Sequence, residues 1–154
     1  MIKIMFVCHG NICRSLMAEF VFRDLVNKNG LSGLFEVSSS ATSTEEIGNP
    51  VHPGTRKKLM EYGITTGEKR AVLFQKSDYS TYDYIIGMDQ RNMTNIYLML
   101  DTKKDEKIFR LLDLTLHKRD IADPWYTGDF TQTYDDIYNG CEALLAYLLK
   151  KELV

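Results

Sequence analysis

The residues with the clearest chemical potential are a cysteine and an arginine within one short segment, Cys8-His9-Gly10-Asn11-Ile12-Cys13-Arg14-Ser15. The segment follows an apolar run, Ile4 to Val7, that predicts a buried strand, and it precedes residues with the apolar spacing of a helix. A strand-to-helix turn can direct backbone N–H groups and the positive end of the helix into one concavity. The segment therefore predicts an anion-binding turn that carries a thiol.

Each residue type in this turn suits a particular role. A thiol at the start of the turn is expected to be largely thiolate near neutral pH, so Cys8 is a candidate nucleophile. The planar fork of Arg14 matches two oxygens of a phosphate. Gly10 and Asn11 tolerate positive φ, and Ser15 can cap the helix and donate a hydrogen bond to the thiolate. The competing interpretation is an ordinary turn with two buried cysteines.

A second candidate segment lies nearer the C-terminus and reads Asp123-Pro124-Trp125-Tyr126. Pro124 disfavours helical backbone at Asp123, so the carboxylate is expected to be presented rather than packed away. The two aromatic residues could form the wall of a slot for a flat substrate ring. A carboxylic acid near a nucleophile can protonate a leaving group, although Asp120 and Asp129 remain alternatives on chemistry alone.

The two segments together resemble the signatures of the low-molecular-weight protein tyrosine phosphatases, with Leu16 where the family usually has proline. The resemblance implies hydrolysis of phosphotyrosine proteins through a phosphocysteine on Cys8, with Arg14 binding phosphate, Asp123 as general acid and base, and no cofactor. It also implies that inorganic phosphate or other oxyanions bind the site. The further phosphate-binding and supporting residues that it implies are His9, Gly10, Asn11, Ile12, Cys13, Ser15 and Ser39.

Three positions outside the two segments carry further expectations from the resemblance. Ser39 corresponds to a serine that holds the phosphate-binding turn through its asparagine, here Asn11. Glu45 stands where many members have an aromatic residue facing the pocket, so it is expected to line the pocket with Trp125 and Tyr126 and to disfavour acidic substrate residues. Lys69 begins the segment that corresponds to a His-x-Ala-Arg-like stretch, so the family's structural histidine is absent.

Length and composition narrow the classes of protein to which the chain could belong. The 154 residues predict a single domain over 1–154, and a net charge of −2 gives no basic footprint for nucleic acid. No stretch is long and apolar enough for membrane insertion, and three cysteines favour a reducing cytoplasm over a disulfide framework. No metal site is expected, because the three histidines form no matched set and Cys8, His9 and Cys13 crowd into one turn.

The pattern of apolar residues predicts an α/β fold. Strands are predicted at Ile4–Val7, Phe35–Ser39, Tyr84–Met88 and Lys107–Leu112, and helices at Ser15–Asn29, Pro53–Tyr62, from Asp89 through Leu100, and along a stripe from Ile137 to Leu148 that includes Cys141. Alternating strands and helices imply a doubly wound parallel sheet with helices on both faces, in agreement with the flavodoxin-like four-stranded sheet of the resembling family. Ligands in such folds bind beyond the carboxyl ends of the strands, where Cys8 lies.

Three other functions remain open from the sequence. An arsenate reductase of the same fold would need further cysteines close enough to relay a disulfide, and Cys141 on a core stripe is poorly placed for that. Phosphoarginine phosphatases carry threonine where this chain has Ile12, and the bulkier residue favours an aryl ester. A non-hydrolytic cysteine phosphocarrier would need no partnership between Arg14 and Asp123.

A reversible redox switch is a further hypothesis for the two cysteines of the turn. Cys13 lies five residues after Cys8, so their sulfurs could meet after a local rearrangement, and the resembling family is described as using such a pair. The competing interpretation, equally weighted, is that Cys13 only packs beneath the turn.

Overall fold

Four parallel strands form the centre of the computed structural model, which describes residues 1–102 and 104–152. The strands are β1 (Ile2–Cys8), β2 (Phe35–Ala41), β3 (Tyr84–Gly87) and β4 (Ile108–Arg110). Their order across the sheet is β2-β1-β3-β4, and every neighbouring pair is parallel. The predicted four-stranded parallel sheet is thereby confirmed.

Six α-helices connect and cover the strands in the described part of the chain. They are α1 (Arg14–Lys28), α2 (Pro53–Met60), α3 (Asp78–Thr81), α4 (Gln90–Leu100), α5 (Pro124–Thr127) and α6 (Phe130–Glu152). Two 3₁₀ turns, at Ser32–Leu34 and Leu111–Leu114, complete the regular structure. The short helices α3 and α5 were not predicted from the sequence, because four residues are too few to establish a helical period.

The central strand β1 is buried on both faces, and its side chains alternate between two apolar cores. Ile4 and Phe6 belong to the larger core, which includes side chains of α1 and α6. Met5 and Val7 belong to the smaller core on the opposite face, with side chains of α4. The prediction of helices on both faces of the sheet is therefore confirmed.

Several element boundaries differ from the predicted ones. The fourth strand ends at Arg110 rather than Leu112, because the chain turns into a 3₁₀ helix in which Asp113 accepts a hydrogen bond from the Arg110 backbone N–H. Helix α2 ends at Met60, two residues before the predicted end, and Gly63 beyond it has a φ of +73°. Strand β1 is longer than predicted at both ends.

The start of α1 also differs from the prediction in a way that bears on the site. The residue before the first helical residue is Cys13, and no side chain caps the helix N-terminus. Ser15 therefore lies within the helix and is not its cap. Its hydroxyl is instead turned towards Cys8, at the carboxyl end of β1.

The carboxyl edge of the sheet gathers residues that are far apart in sequence. Cys8 is the last residue of β1, and Asp89 lies two residues after the end of β3. The loop after β4 returns to this edge, where the Ile121 N–H donates to the carbonyl of Met88. Parallel topology thus brings three loops together above the central strands. Among the residues that the structure describes, no helix is long and apolar enough to cross a membrane.

Candidate active site

The sulfur of Cys8 lies in a nest of hydrogen-bond donors at the end of β1. The backbone N–H groups of Asn11 and Ser15 approach Sγ at 3.3 and 3.4 Å. The Ser15 hydroxyl oxygen lies 3.0 Å from the same sulfur. Three groups that can donate to a sulfur anion therefore converge on Cys8, which places the sulfur in an anion-binding turn.

Asn11 shapes the turn through both its backbone and its side chain. Its φ of +61° is in the left-handed region, where the sequence placed both Gly10 and Asn11 as candidates. Gly10 does not have a positive φ. A Cβ there would lie 3.3 Å from Cγ of Glu46, a close contact that a small shift of the Glu46 side chain would relieve.

The Asn11 amide links the turn to its neighbours. Nδ2 donates to Oγ of Ser15 at 2.8 Å, and Oδ1 accepts from the N–H of Val72 at 3.1 Å. With its lone pairs directed at Asn11, the Ser15 hydroxyl is oriented to donate its proton, and Cys8 Sγ and the Ser40 carbonyl lie within reach. Asn11 thereby supports Cys8 through Ser15.

The prediction that Ser39 holds Asn11 is wrong. Ser39 lies on the face of β2 that points towards α1, and its hydroxyl donates to Glu19 Oε1 at 2.5 Å. The contact between β2 and the turn is made instead by the carbonyl of Ser40, whose oxygen lies 3.3 Å from the Ser15 hydroxyl. Adjacent strand residues point to opposite faces, so a serine at position 39 cannot reach the turn from this strand register.

Lys69, in the segment where the structural histidine of the family is absent, joins the network around Ser39. Its Nζ donates to the Ser39 carbonyl at 2.9 Å and lies 3.7 Å from Glu19 Oε1. Burial lowers the pKa of Lys69, and the neighbouring carboxylate of Glu19 opposes that change. A partly buried cation at this position therefore links the 66–72 loop, and with it the Val72 N–H, to β2.

Arg14 is almost fully buried at 3% exposure and connects three segments of the chain. Nη1 donates to Asp89 Oδ2 at 2.7 Å and to the carbonyl of Ile121 at 2.9 Å. Nη2 lies 3.4 Å from Oδ2 of Asp123. Burial by itself would lower the pKa of Arg14, but Cys8 and Asp89 outweigh it and raise the pKa. The guanidinium is therefore permanently charged and held at the cavity floor.

Asp89 is a site residue that the sequence reading missed in this role. Its capping of α4 was predicted and is confirmed, with Oδ1 accepting from the Asn92 N–H at 2.7 Å. The other carboxylate oxygen binds Arg14. The available signal was its position directly after a central strand, at the same edge of the sheet as Cys8.

Asp123 occupies the last position of the acid loop, which we define as residues 119–123. Its backbone is extended, as Pro124 predicted, and Oδ1 accepts from the N–H of Trp125 at 3.0 Å. The side chain is 24% exposed, so it faces solvent within reach of a bound substrate. Asp120, an alternative on chemistry alone, is instead engaged by the N–H of Gln90 and by Arg110.

The predicted site residues line one cavity above the sulfur. Cys8, Arg14 and Asp123 are on its surface, together with His9, Gly10, Ile12, Cys13, Glu45, Glu46, Trp125 and Tyr126. Trp125 and Tyr126 are 56% and 82% exposed, which leaves their rings free to contact a substrate. Glu45 is at the mouth as predicted, and its carboxylate lies 3.1 Å from Nε2 of His9. The mouth therefore presents an ion pair rather than an isolated acid when His9 is protonated.

The other two cysteines are buried thiols. Burial raises the pKa of Cys13 to about 12. Burial also raises the pKa of Cys141, which packs on the core stripe of α6 as predicted. In residues 1–102 and 104–152, no group of three histidine, cysteine, aspartate or glutamate side chains is arranged to hold a metal ion.

Comparison with known proteins assigns nearly the whole chain to one family. Residues 3–154 match the family model described as low molecular weight phosphotyrosine protein phosphatase. The chain belongs to this family. Family membership makes it a protein-tyrosine-phosphatase, as the two motifs had predicted.

Individual members of the low molecular weight phosphatase family are similar along nearly the full chain. The low molecular weight protein-tyrosine-phosphatase YfkJ of Bacillus subtilis is 42% identical, covering 99% of both chains, and its crystal structure superposes with a TM-score of 0.95 over 99% of this chain and 97% of that one. The crystal structure of SP-PTP from Streptococcus pyogenes is 41% identical with a TM-score of 0.88, covering 99% of this chain and 97% of that one. The arsenate reductase, phosphoarginine phosphatase and phosphocarrier alternatives are not favoured by these matches.

Proposed function

We propose that residues 1–154 act as one cytoplasmic phosphatase domain on phosphotyrosine-containing proteins, with the chemistry divided among three residues. Cys8 is the nucleophile, Arg14 holds the phosphate, and Asp123 is the general acid and then the general base. The observation that carries the proposal is the shared cavity: Arg14 and Asp123, 109 positions apart, meet beside the Cys8 sulfur.

In the first step, the Cys8 thiolate attacks phosphorus in line with the tyrosine oxygen. The phosphorus–oxygen bond breaks as the sulfur–phosphorus bond forms, and Asp123 gives its proton to the departing phenolate. The Arg14 fork and the backbone N–H groups of residues 9 to 14 bind the equatorial oxygens, whose charge they stabilise without reorganising. The phenol ring rests against Trp125 and Tyr126.

In the second step, the phosphocysteine is hydrolysed by water. Asp123, now a carboxylate, takes a proton from the attacking water, and the Cys8 thiolate leaves. The donors around Cys8 stabilise this thiolate as a leaving group, because they are the same groups that favour it as a nucleophile. Inorganic phosphate is the product, and it competes with substrate for the same donors.

Three observations argue against the other open functions. Cys141 is fully buried and contacts the carbonyl of Ala18, so it cannot relay a disulfide to Cys8 as an arsenate reductase requires. A phosphocarrier would gain nothing from an acid beside Arg14. The bulky side chain of Ile12 lines the cavity where the phosphoarginine phosphatases have threonine, and it favours the aryl ester.

The testing experiment is turnover of an aryl phosphate by wild type and Cys8→Ser. Wild type should turn over many equivalents, whereas the variant should retain less than about a hundredth of the wild-type kcat, the expected result of losing a nucleophile. The variant should still bind inorganic phosphate, because Arg14 and the backbone donors remain. A variant that keeps more activity would overturn covalent catalysis by Cys8.

A further inference from the structure

A groove adjoins the catalytic cavity and takes no part in the two chemical steps. It shares Ile12, Glu46 and Trp125 with the catalytic cavity, so the two form one continuous depression. Its far wall is one side of helix α2. The groove is several times larger than the cavity above the sulfur, and most of its lining is apolar.

Helix α2 presents one complete face to this groove. Pro53, Arg56, Lys57 and Met60 all line it, and these positions recur at the spacing of one helix face. The opposite face carries the buried residues Thr55 and Leu59. The four exposed positions span roughly 10 Å at the rise of an α-helix, which is the reach of about three residues of extended peptide.

The groove combines an apolar floor with two cations. Val51 is buried at its base, while Met60 is 59% exposed, an unusual exposure for a large apolar side chain. Arg56 and Lys57 are both exposed, and neither is paired with a carboxylate in the described part of the chain. The acid that also lines the groove, Glu46, is already engaged by Nδ2 of Asn49 at 2.6 Å.

The groove is held in place by contacts with the phosphate-binding turn. The N–H of His52 donates to the carbonyl of Ile12 at 3.0 Å, and its ring stacks on Phe130 with centroids 5.2 Å apart. A Cβ on Gly54 would lie 2.4 Å from the Phe130 ring, so α2 packs tightly there. The groove wall is therefore fixed relative to Cys8.

We propose that this groove, defined by Val51, Pro53, Arg56, Lys57, Met60 and Trp125, is a substrate subsite that binds the residues flanking phosphotyrosine. The inference rests on the proposed phosphotyrosine activity. Its occupant is an extended peptide segment with an apolar side chain on the floor and, beyond it, an acidic side chain facing Arg56 and Lys57. Continuity with the cavity supplies the path, and the unpaired cations supply the charge complementarity.

The subsite and Glu45 act at different distances from the phosphotyrosine. Glu45 lines the catalytic cavity but not the groove, so its expected repulsion acts on acids beside the phosphotyrosine. Arg56 and Lys57 lie along α2, past Trp125, and favour an acid a few residues away. Together they select an apolar residue near the phosphotyrosine and an acidic residue further along the chain.

The test compares kcat/KM for two phosphopeptide series and for a small aryl phosphate. In one series the apolar and acidic residues precede the phosphotyrosine, and in the other they follow it. The variant Arg56→Glu/Lys57→Glu reverses both groove charges. The matched control, Lys76→Glu/Lys150→Glu, makes the same change in net charge at exposed positions that do not line the groove.

The groove variant should lose about fivefold or more in kcat/KM for one peptide series, since two attractions become repulsions and exposed pairs each contribute a modest amount. The loss should shrink at high salt. Met60→Ala should weaken the same series at every salt concentration. Both variants should hydrolyse the aryl phosphate as wild type does, which also shows that they are folded.

Three results would overturn the subsite. These are equal losses in both peptide series, an equal loss with the Lys76→Glu/Lys150→Glu control, or no loss in either series. If the wild-type protein hydrolyses both phosphotyrosine peptide series equally well, the subsite is contradicted and the proposed function stands. If the wild-type protein hydrolyses none of the phosphotyrosine substrates, both the subsite and the proposed function are contradicted.

Discussion

At the scale of single residues, Arg14 explains why a distant acid loop meets the nucleophile. Its guanidinium binds Asp89 and the Ile121 carbonyl while it approaches Asp123, so the charge that is to hold phosphate also positions the general acid. The motif identified Arg14 and Asp123 separately. Their direct contact depends on the geometry of the loop after β4, which residue types alone do not specify.

The effect on the rate of removing the Asp123 carboxylic acid should depend on the leaving group. Asp123→Asn should lower kcat/KM, which reports the first chemical step, about 10²–10⁴-fold for phosphotyrosine, the usual contribution of a general acid, and far less for an ester of an acidic phenol. Asp129→Asn is the matched control, because the amide oxygen of asparagine can still accept from the Gln132 N–H. Steady-state rates across a series of aryl phosphates measure the dependence. Equal impairment for every leaving group would contradict the assignment.

Cys13 should protect Cys8 from irreversible oxidation. Peroxide converts the Cys8 thiolate to sulfenic acid, and the Cys13 thiol can condense with it to form a disulfide and water. Burial keeps Cys13 a thiol near neutral pH, with a pKa of about 12, so it is a slow trap and a poor target for peroxide itself.

The measurement for this switch is recovery of activity with dithiothreitol after peroxide treatment. Wild type should recover most of its activity and Cys13→Ser much less. A peptide linked through Cys8 and Cys13 should be found by mass spectrometry in oxidised wild type. Equal recovery, or no linked peptide, would leave Cys13 as a packing residue.

At the scale of elements, helices with a repeated apolar pattern were predicted best. Side-chain directions that depend on strand register were predicted least well. The apolar stripe of α6 was readable because it continues over several turns, and all of its predicted members are buried. The direction of the Ser39 side chain could not be predicted, because a shift of one residue in the register of β2 exchanges its face of the sheet with that of Ser40. Helix α5 was not predicted, because four residues are too few to establish a helical period. The helix begins at Pro124, directly after Asp123.

The α6 stripe makes a direct prediction about stability. Leu144 is fully buried in the larger core, so Leu144→Ala should lower the free energy of unfolding by about 2–5 kcal/mol through lost burial and a residual cavity. Leu98 on α4 is 72% exposed, and Leu98→Ala should change the stability by about 0.5 kcal/mol or less. Chemical denaturation of both variants measures the difference. Similar values would contradict the placement of α6 against the sheet.

At the scale of the whole molecule, parallel topology is what makes the site possible. The strands end at one edge, and the turn after β1, the cap of α4 after β3 and the acid loop after β4 all meet there. The alternation of strands and helices in the sequence was enough to predict this edge. The groove along α2 was not predictable, because its exposed face reads as an ordinary solvated helix until its position beside Trp125 is known.

The overall charge distribution fits a site that supplies its own positive potential. The chain has a net charge of −2, yet the cavity contains a buried guanidinium and the start of α1. Local donors, rather than a basic surface, therefore attract the phosphate group. This arrangement is consistent with a substrate that is recognised first by one phosphorylated side chain.

The central claim is that phosphate passes through Cys8, and trapping the intermediate tests it most directly. In Asp123→Asn, an aryl phosphate with an acidic phenol should still react at the first step, whereas hydrolysis of the intermediate should slow without its base. Acid quenching followed by mass spectrometry of peptides should then find one phosphoryl group on Cys8. Its absence under continuing turnover, or a phosphoryl group on another residue, would contradict the account.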